Sequence, residues 1–323
     1  MVGSLESSSA MDPCGDGAGE GVDLLSGLPD DLLLHILARL RCVRAAVRTG
    51  ALSRRWLGLW RRLPELYFRN IVPPALEATL AQVALPKLSF LHVDISFYYA
   101  RPSAAVVASL LRAAARLDPV DFSLRASMDG DAPNTAIEMP RFVRATSIEM
   151  DVVNLSLTPP PPGVEFPVLE RLSIARSDFE ANALVSRCPR LRALEMRQCF
   201  SHETIMLRSA TIEELDVHGG WGREFIRIID INAPALKKFT FNAYLDPDFS
   251  MSLLAPMVEN HWWNENDISQ ATAGRDLSRA VVAMLRFPPT PYGMTVCAVL
   301  LRMDRPVGPA SWVFRPAEAS GHS

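Results

Sequence analysis

At 323 residues with 49% apolar side chains, the chain is long enough for more than one domain and rich enough for a sizeable core. A formal net charge of −3 excludes a global field that would draw it to nucleic acid or to a membrane surface. The cysteines Cys14, Cys42, Cys188, Cys199 and Cys297 show no CxxC spacing, and such an odd, scattered set suits reduced thiols in the cytoplasm or nucleus.

Residues 1–22 are rich in Ser, Gly and acidic residues and hold no apolar run, which predicts a disordered tail and no signal peptide. No later run is long and apolar enough for a transmembrane helix. The alternating glycines from Gly15 to Gly21 lack the preceding strand and the following Gly-Lys-Ser/Thr of a phosphate loop. Residues 23–68 are predicted to be helical. Proline suits the first helical position, so a helix should begin at Pro29, with Asp30 and Asp31 at the positive end of its dipole. Leu32, Leu33, Ile36, Leu37 and Leu40 then form a wide apolar stripe. A second helix fits Val43 to Arg48, with Gly50 as its stop. Ser53 is the expected cap of a third, whose apolar side carries Trp56, Leu57, Leu59 and Trp60. So short a segment buries too little surface to stand alone. Some of its apolar surface is therefore expected to meet the next domain or a partner.

Two phrases in this stretch, Leu28-Pro29-Asp30-Asp31-Leu32-Leu33 and Leu52-Ser53-Arg54-Arg55-Trp56, together with Ile36-Leu37, Leu40, Ala45 to Thr49 and Trp60, resemble the F-box of large plant families. The resemblance implies docking onto the Skp-type adaptor of an SCF ubiquitin ligase. The positions that match the adaptor-facing pattern are Leu28, Pro29, Leu32, Ile36, Leu37, Trp56 and Trp60. Some of this set must also be internal core, and the residues alone do not say which.

Beyond residue 68 the pattern changes. Phe90 to Ile95 reads as a strand, Ser103 to Leu117 as a helix with Ser103 at its cap, and Val120 to Leu124 and Thr146 to Val152 as further strands. The prolines Pro159 to Pro162 demand a loop. From Phe166 an apolar-x-x-apolar-x-apolar unit recurs, with Leu172, Leu194, Leu215 and Phe239 at its centre and Ile148 extending the series backward. That spacing is the leucine-rich-repeat pattern, in which each turn buries its apolar face only against its neighbours. Leu172 and Ile174 should point inward, Arg171 and Ser173 outward. The repeats are irregular, and no Asn/Cys position is expected in them. The predicted class is α/β, with an N-terminal three-helix F-box followed by an irregular leucine-rich-repeat solenoid over residues 69–255. That order of segments also resembles the plant F-box family. By the same resemblance, residues 256–323 are a divergent or truncated FBD-like segment. The residues themselves, which match that segment poorly, read as a helix over Arg275 to Arg286 and a strand over Met294 to Met303.

No constellation for catalysis emerges: there is no HExxH, no Cys-His cluster and no GxSxG, so neither an enzyme nor a metal or cofactor is expected. Cys188, beside Pro189 at the start of a repeat, is expected to be a buried structural thiol. Arg54-Arg55-Trp56 and Trp60-Arg61-Arg62 interleave base and aromatic as single-strand binders do, but Arg flanking Trp on an amphipathic helix explains them as well. The resemblance implies a substrate-recognition subunit. Its partners are a Skp-type adaptor, through that adaptor cullin and RING subunits, and a target protein bound by the repeats; neither nucleic acid nor membrane is expected as a partner. A repeat scaffold without ligase function is the alternative. Arg171, Arg192, Glu195, Glu214 and Lys238, which flank the inward repeat residues, are the candidates for the target surface.

Overall fold

The computed structural model describes residues 27–85, 87–95, 101–128, 135–199, 203–219, 226–242, 245–255, 280–283 and 299–302. The N-terminal tail and most of the C-terminal segment lie outside these residues.

Two α-helices open the described chain, α1 (Asp30–Arg39) and α2 (Val43–Arg48). Pro29 is the N-cap, one residue before the helix it was expected to start. The expected third α-helix is absent. In its place the chain runs through a 3-10 turn at Thr49–Ala51, a series of turns, and a second 3-10 turn at Leu59–Arg62. Gly58 has φ +81°, a left-handed conformation that no right-handed helix from Ser53 to Trp60 can run through. Ser53 Oγ has no hydrogen-bond partner, so it caps nothing. Ser103 stands at the N-cap of the helix over Ala104–Arg116, but through its backbone carbonyl and not its side chain.

The rest is repetitive: β1 (Glu65–Arg69), α3 (Pro73–Leu80), β2 (Phe90–Asp94), α4 (Ala104–Arg116), β3 (Asp121–Ser127), β4 (Thr135–Glu138), β5 (Ser147–Thr158) and β6 (Arg171–Phe179). Then come α5 (Ala181–Val185), β7 (Ala193–Arg197), β8 (Thr204–Arg208), β9 (Glu214–His218), β10 (Ile226–Asn232), β11 (Lys238–Asn242) and β12 (Leu245–Leu254). A nine-stranded parallel sheet runs β1-β2-β3-β5-β6-β7-β9-β11, with β4 beside the second half of β5. The sheet is of the leucine-rich-repeat type and does not close. It begins at Glu65, inside the stretch that sequence assigns to the helical module, and one continuous core joins the two.

The repeat register holds and reaches further back than its sequence signature. Leu66, Leu91, Phe122, Ile148, Leu172, Leu194, Leu215 and Phe239 are partners across successive strands. A second inward row runs parallel to it, from Phe68 through Met150 and Ile174 to Phe241. All of these are buried except Phe239, which is half-buried because β11 ends the sheet. Between repeats the turns are pinned alike. The Thr146 carbonyl accepts from Glu170 and Arg171 N–H at 2.9 and 3.0 Å, and the Glu170 carbonyl from Arg192 and Ala193 at the same distances.

An Asn/Cys position exists after all. Three residues beyond the last inward apolar residue stand Ser177 and Cys199, at the place where the repeat consensus has Asn or Cys. The Ser177 hydroxyl donates to Val152 O at 2.7 Å, and the Cys199 thiol to Ile174 O at 3.4 Å. Each side chain thus bonds the backbone of the preceding turn. A hydroxyl performs there what an amide does in the consensus, and that is why the pattern hides it.

The return path changes along the chain. Helices α3, α4 and α5 connect the earlier strands, whereas β8, β10 and β12 form a second parallel sheet of their own. Ile205 pairs with Ile229, and Leu207 with Ile231 and then Leu253, as its inward face. These strands carry no L-x-x-L-x-L signature and fall outside the sequence expectation. Asn182 of α5 accepts from the backbone N–H of Arg208 at 3.1 Å, so the last return helix abuts the first return strand. In β5 and β6 the ladder shifts register between Asp151 and Leu155, with Asn154 and Arg176 in the left-handed region. Further on, residues 280–283, placed in a helix by sequence, form strand β13 (Ala280–Ala283), antiparallel to β14 (Val299–Arg302). β14 falls within the expected strand over 294–303.

Candidate functional site: an apolar helix row and an open sheet face

The α1 stripe divides into two rows. Leu33 and Leu37 are 0% and 1% exposed, whereas Leu32, Ile36 and Leu40 are 45%, 37% and 41% exposed. Residues four apart share a helix face, so 33/37 faces the core and 32/36/40 faces outward. Leu28 is half-buried against the core and Pro29 is exposed. Trp56 and Trp60 are buried, together with Leu59 and Leu63. Of the seven expected adaptor-facing residues, Leu37, Trp56 and Trp60 are thus core of this chain, and their side chains are not open to a partner. The 3-10 turn at Leu59–Arg62, which carries Trp60, packs against α1 and α2. Val47, Leu52 and Leu57 are exposed apolar residues of the same module that sequence reasoning did not select. Sequence placed Leu57 on the apolar side of a third helix, and it is exposed because that helix does not form.

One carboxylate joins the two signature phrases. Asp30 Oδ1 accepts from Arg55 Nε and Nη2 at 3.2 and 3.1 Å, and Asp30 Oδ2 from Arg62 Nη1 at 3.1 Å. These hydrogen bonds, from Arg55 first and Arg62 second, hold the Asp30 carboxyl below its ordinary pKa. Leu28-Pro29-Asp30 and Ser53-Arg54-Arg55-Trp56 therefore touch in space. With Arg55 and Arg62 engaged and both Trp rings buried, the interleaved Arg/Trp pattern offers no stacking platform for bases.

The second surface is the open face of the nine-stranded sheet. Its middle row runs Tyr67, His92, Ser123, Glu149, Ser173, Glu195, Asp216, Thr240. At the β1–β2 end it is aromatic: Tyr67 and Phe90 have ring centroids 5.0 Å apart, and Arg41 and Arg69 lie 5.8 and 5.9 Å from the Tyr67 centroid. Burial, and then the Arg69 charge, lower the pKa of His92, whose Nδ1 is 3.1 Å from Ser123 Oγ. Beyond it the face is a lattice of paired charges. Asp151 takes Arg125 at 3.4 Å and also Arg176, Ser123 donates to Glu149 at 3.1 Å, and Glu195 takes Ser173 at 2.8 Å and Arg197 at 3.1 Å. Arg171, Glu195, Glu214 and Lys238 lie on this face. Arg192 instead sits in the turn before β7, 3.9 Å from Glu213.

Burial pushes the Cys188 and Cys199 thiols up to about 12, where they stay protonated at neutral pH. Among the described residues no three His, Cys, Asp or Glu side chains group as a metal site.

A family model described as "FBD-associated F-box protein At5g56370, LRR repeats" matches residues 111–253, from α4 to β12. Over 246 residues the chain is 27% identical to F-box protein At5g03100 of Arabidopsis thaliana, covering 71% of this chain and 73% of that one. It is 29% identical over 202 residues to F-box/LRR-repeat protein 25 of the same plant, covering 60% and 76%. Over 83 residues it is 36% identical to the putative Arabidopsis F-box protein At2g39415, which is 24% of this chain and 69% of the relative. No solved structure matches.

Proposed function

This chain belongs to the F-box/LRR-repeat family of plant proteins, and from that premise we propose that it is the substrate-recognition subunit of an SCF-type ubiquitin ligase. The helical module acts as the F-box and binds a Skp-type adaptor, and the open sheet face holds the target protein. The family carries an adaptor role in general; the ligase assignment and the surfaces are our reading. The observation that carries it is the exposed row Leu32, Ile36 and Leu40, held in place from beneath by Leu33, Leu37, Trp56 and Trp60. A monomer gains nothing by leaving three large side chains of one helix row in water, and such a row fits a helix-binding groove. The chemistry of ubiquitin transfer belongs to other subunits; this chain supplies proximity and orientation.

The module shares its core with the sheet, and deleting residues 23–68 would remove β1 as well. Point variants are therefore the cleaner test. Ile36→Asp puts a charge on the exposed row and should weaken pull-down of a Skp-type adaptor by more than about tenfold, the size of an interface hot spot, while the thermal unfolding midpoint stays where it was. Undiminished adaptor binding by a folded Ile36→Asp chain would sink the assignment. Loss of adaptor binding with unchanged target turnover in cells would instead favour a scaffold.

A further inference from the structure

Charge is divided sharply at the start of this chain. Residues 1–26 hold five acids, Glu6, Asp12, Asp16, Glu20 and Asp23, and no Lys, Arg or His. Residues 27–69 reverse the balance, with nine arginines against three acids, Asp30, Asp31 and Glu65. Those three leave most of the cations unneutralised. Asp30 is taken by Arg55 and Arg62, and Glu65 accepts the Tyr67 hydroxyl at 3.1 Å. Two of the remaining arginines meet where the helical module joins the sheet. Arg41, between α1 and α2, and Arg69, at the end of β1, are exposed, and both lie on the ring of half-buried Tyr67. Neither has an ion pair with a described residue. Asp94 is the partner of Arg69 across β1 and β2, but the Arg69 guanidinium lies on the ring instead. Elsewhere on the open face Arg125, Arg197 and Lys238 are each paired with an acid.

We propose that the acidic segment 1–26 of this chain occupies this corner, with its carboxylates on Arg41 and Arg69, and so covers the aromatic end of the open face. Charge complementarity and tethering select this occupant. Helix α1 is about 15 Å long and Arg41 follows its last turn, so chain entering at Gly27 reaches the corner by running back along one helix length. Seven residues of extended chain span about 23 Å, which brings Glu20 within reach and leaves slack for Asp16 and Asp12. A short tether supplies an effective concentration on the order of mM, so carboxylates that would bind exposed arginines only weakly in trans hold them in cis. An acidic segment of another protein must displace them, which makes the contact autoinhibitory towards a partner of that chemistry. Single-stranded nucleic acid fits less well, because Tyr67 and Phe90 pack on each other and Glu65 and Asp94 on the same two strands would repel its phosphates. The contact needs neither adaptor nor target, and so stands apart from the receptor reading.

The test uses the full chain and a glutamate-specific protease, timing cleavage after Glu6 and Glu20. A docked segment is cut only while it is released, so R41Q/R69Q should be cut at least about fivefold faster than the natural chain. R171Q, at an exposed arginine of the same face with no ring contact among the described residues, should be cut at the natural rate. Raising the salt from about 0.05 to 0.5 M should speed cleavage of the natural chain towards that of R41Q/R69Q. In a second measurement, R41K/R69K keeps both charges and makes the two positions open to zero-length carbodiimide coupling. Mass spectrometry should then find positions 41 or 69 joined to acids of residues 1–26. Equal cleavage of the natural chain and R41Q/R69Q, or coupling of these positions only to acids beyond residue 26, overturns the proposal. So does a single-stranded oligonucleotide that binds the natural chain and not R41Q/R69Q while the cleavage rates agree, which would give the corner to nucleic acid. Should R41Q/R69Q fail to fold, D12N/D16N/D23N, which alters no described residue, decides by the same rate.

Discussion

On α1, Leu33 and Leu37 are buried while Leu32, Ile36 and Leu40 stay in water; in the sheet, every inward residue from Leu66 to Leu215 and from Phe68 to Phe241 is covered. A strand in the middle of the sheet has a like residue on either side and a return segment behind it, so repetition covers its apolar face. The helical module has no such neighbours. It packs on one side against the first strands, and its second row meets nothing among the described residues.

Breaking the self-sufficient half should produce the largest effect. Leu194→Ala, in mid-sheet at 1% exposure, should destabilise the chain by about 2–5 kcal/mol. Phe239→Ala, at the half-buried end of the same row, should cost clearly less despite removing more atoms, as chemical denaturation would read. Equal costs would mean that β11 is covered as fully as β7.

The module depends less on area and more on backbone. A Cβ at Gly58 would meet nothing closer than 3.9 Å, so Gly58→Ala tests the left-handed conformation alone. It should cost about 1 kcal/mol and leave the sheet core intact. An unchanged unfolding midpoint would remove the reason given for the missing third helix.

The smallest effect belongs to Asp30. Its folded pKa lies below the ordinary value, so its bonds to Arg55 and Arg62 stabilise the fold above the unfolded pKa of about 4 and are lost as pH falls through the lower folded one. Asp30→Asn should therefore flatten the acid side of the curve of melting temperature against pH, with little change at pH 7 beyond a weak salt-sensitive loss, because the pair is exposed. A curve of unchanged shape would rule out the clamp.

How far residues reveal structure also differs between the regions. Repeat register was legible because an inward residue every twenty-odd positions admits one parallel alignment, and Ile148, Leu172, Leu194 and Leu215 indeed pair in series. The earlier strands β1 to β3 join the same ladder without a clear period, since α3 and α4 lengthen their return paths. The return strands β8, β10 and β12 were illegible because they pair with one another and not with the signature strands. Ser177 was passed over because a hydroxyl stands where the consensus has Asn or Cys, whereas Cys199 fits that consensus and was legible in the sequence.

By itself the sequence determined the repeat register and the phrases that resemble the F-box, both of which are local patterns of apolar residues and turn formers. Tertiary structure alone decided which half of the α1 stripe faces out, that Trp56 and Trp60 are core, and that Asp30 clamps Arg55 and Arg62. It also brought Arg41 and Arg69 onto the ring of Tyr67. The physical reason is the same in each case: a helix period tells which residues share a face, but only the elements packed against that helix choose which face is covered.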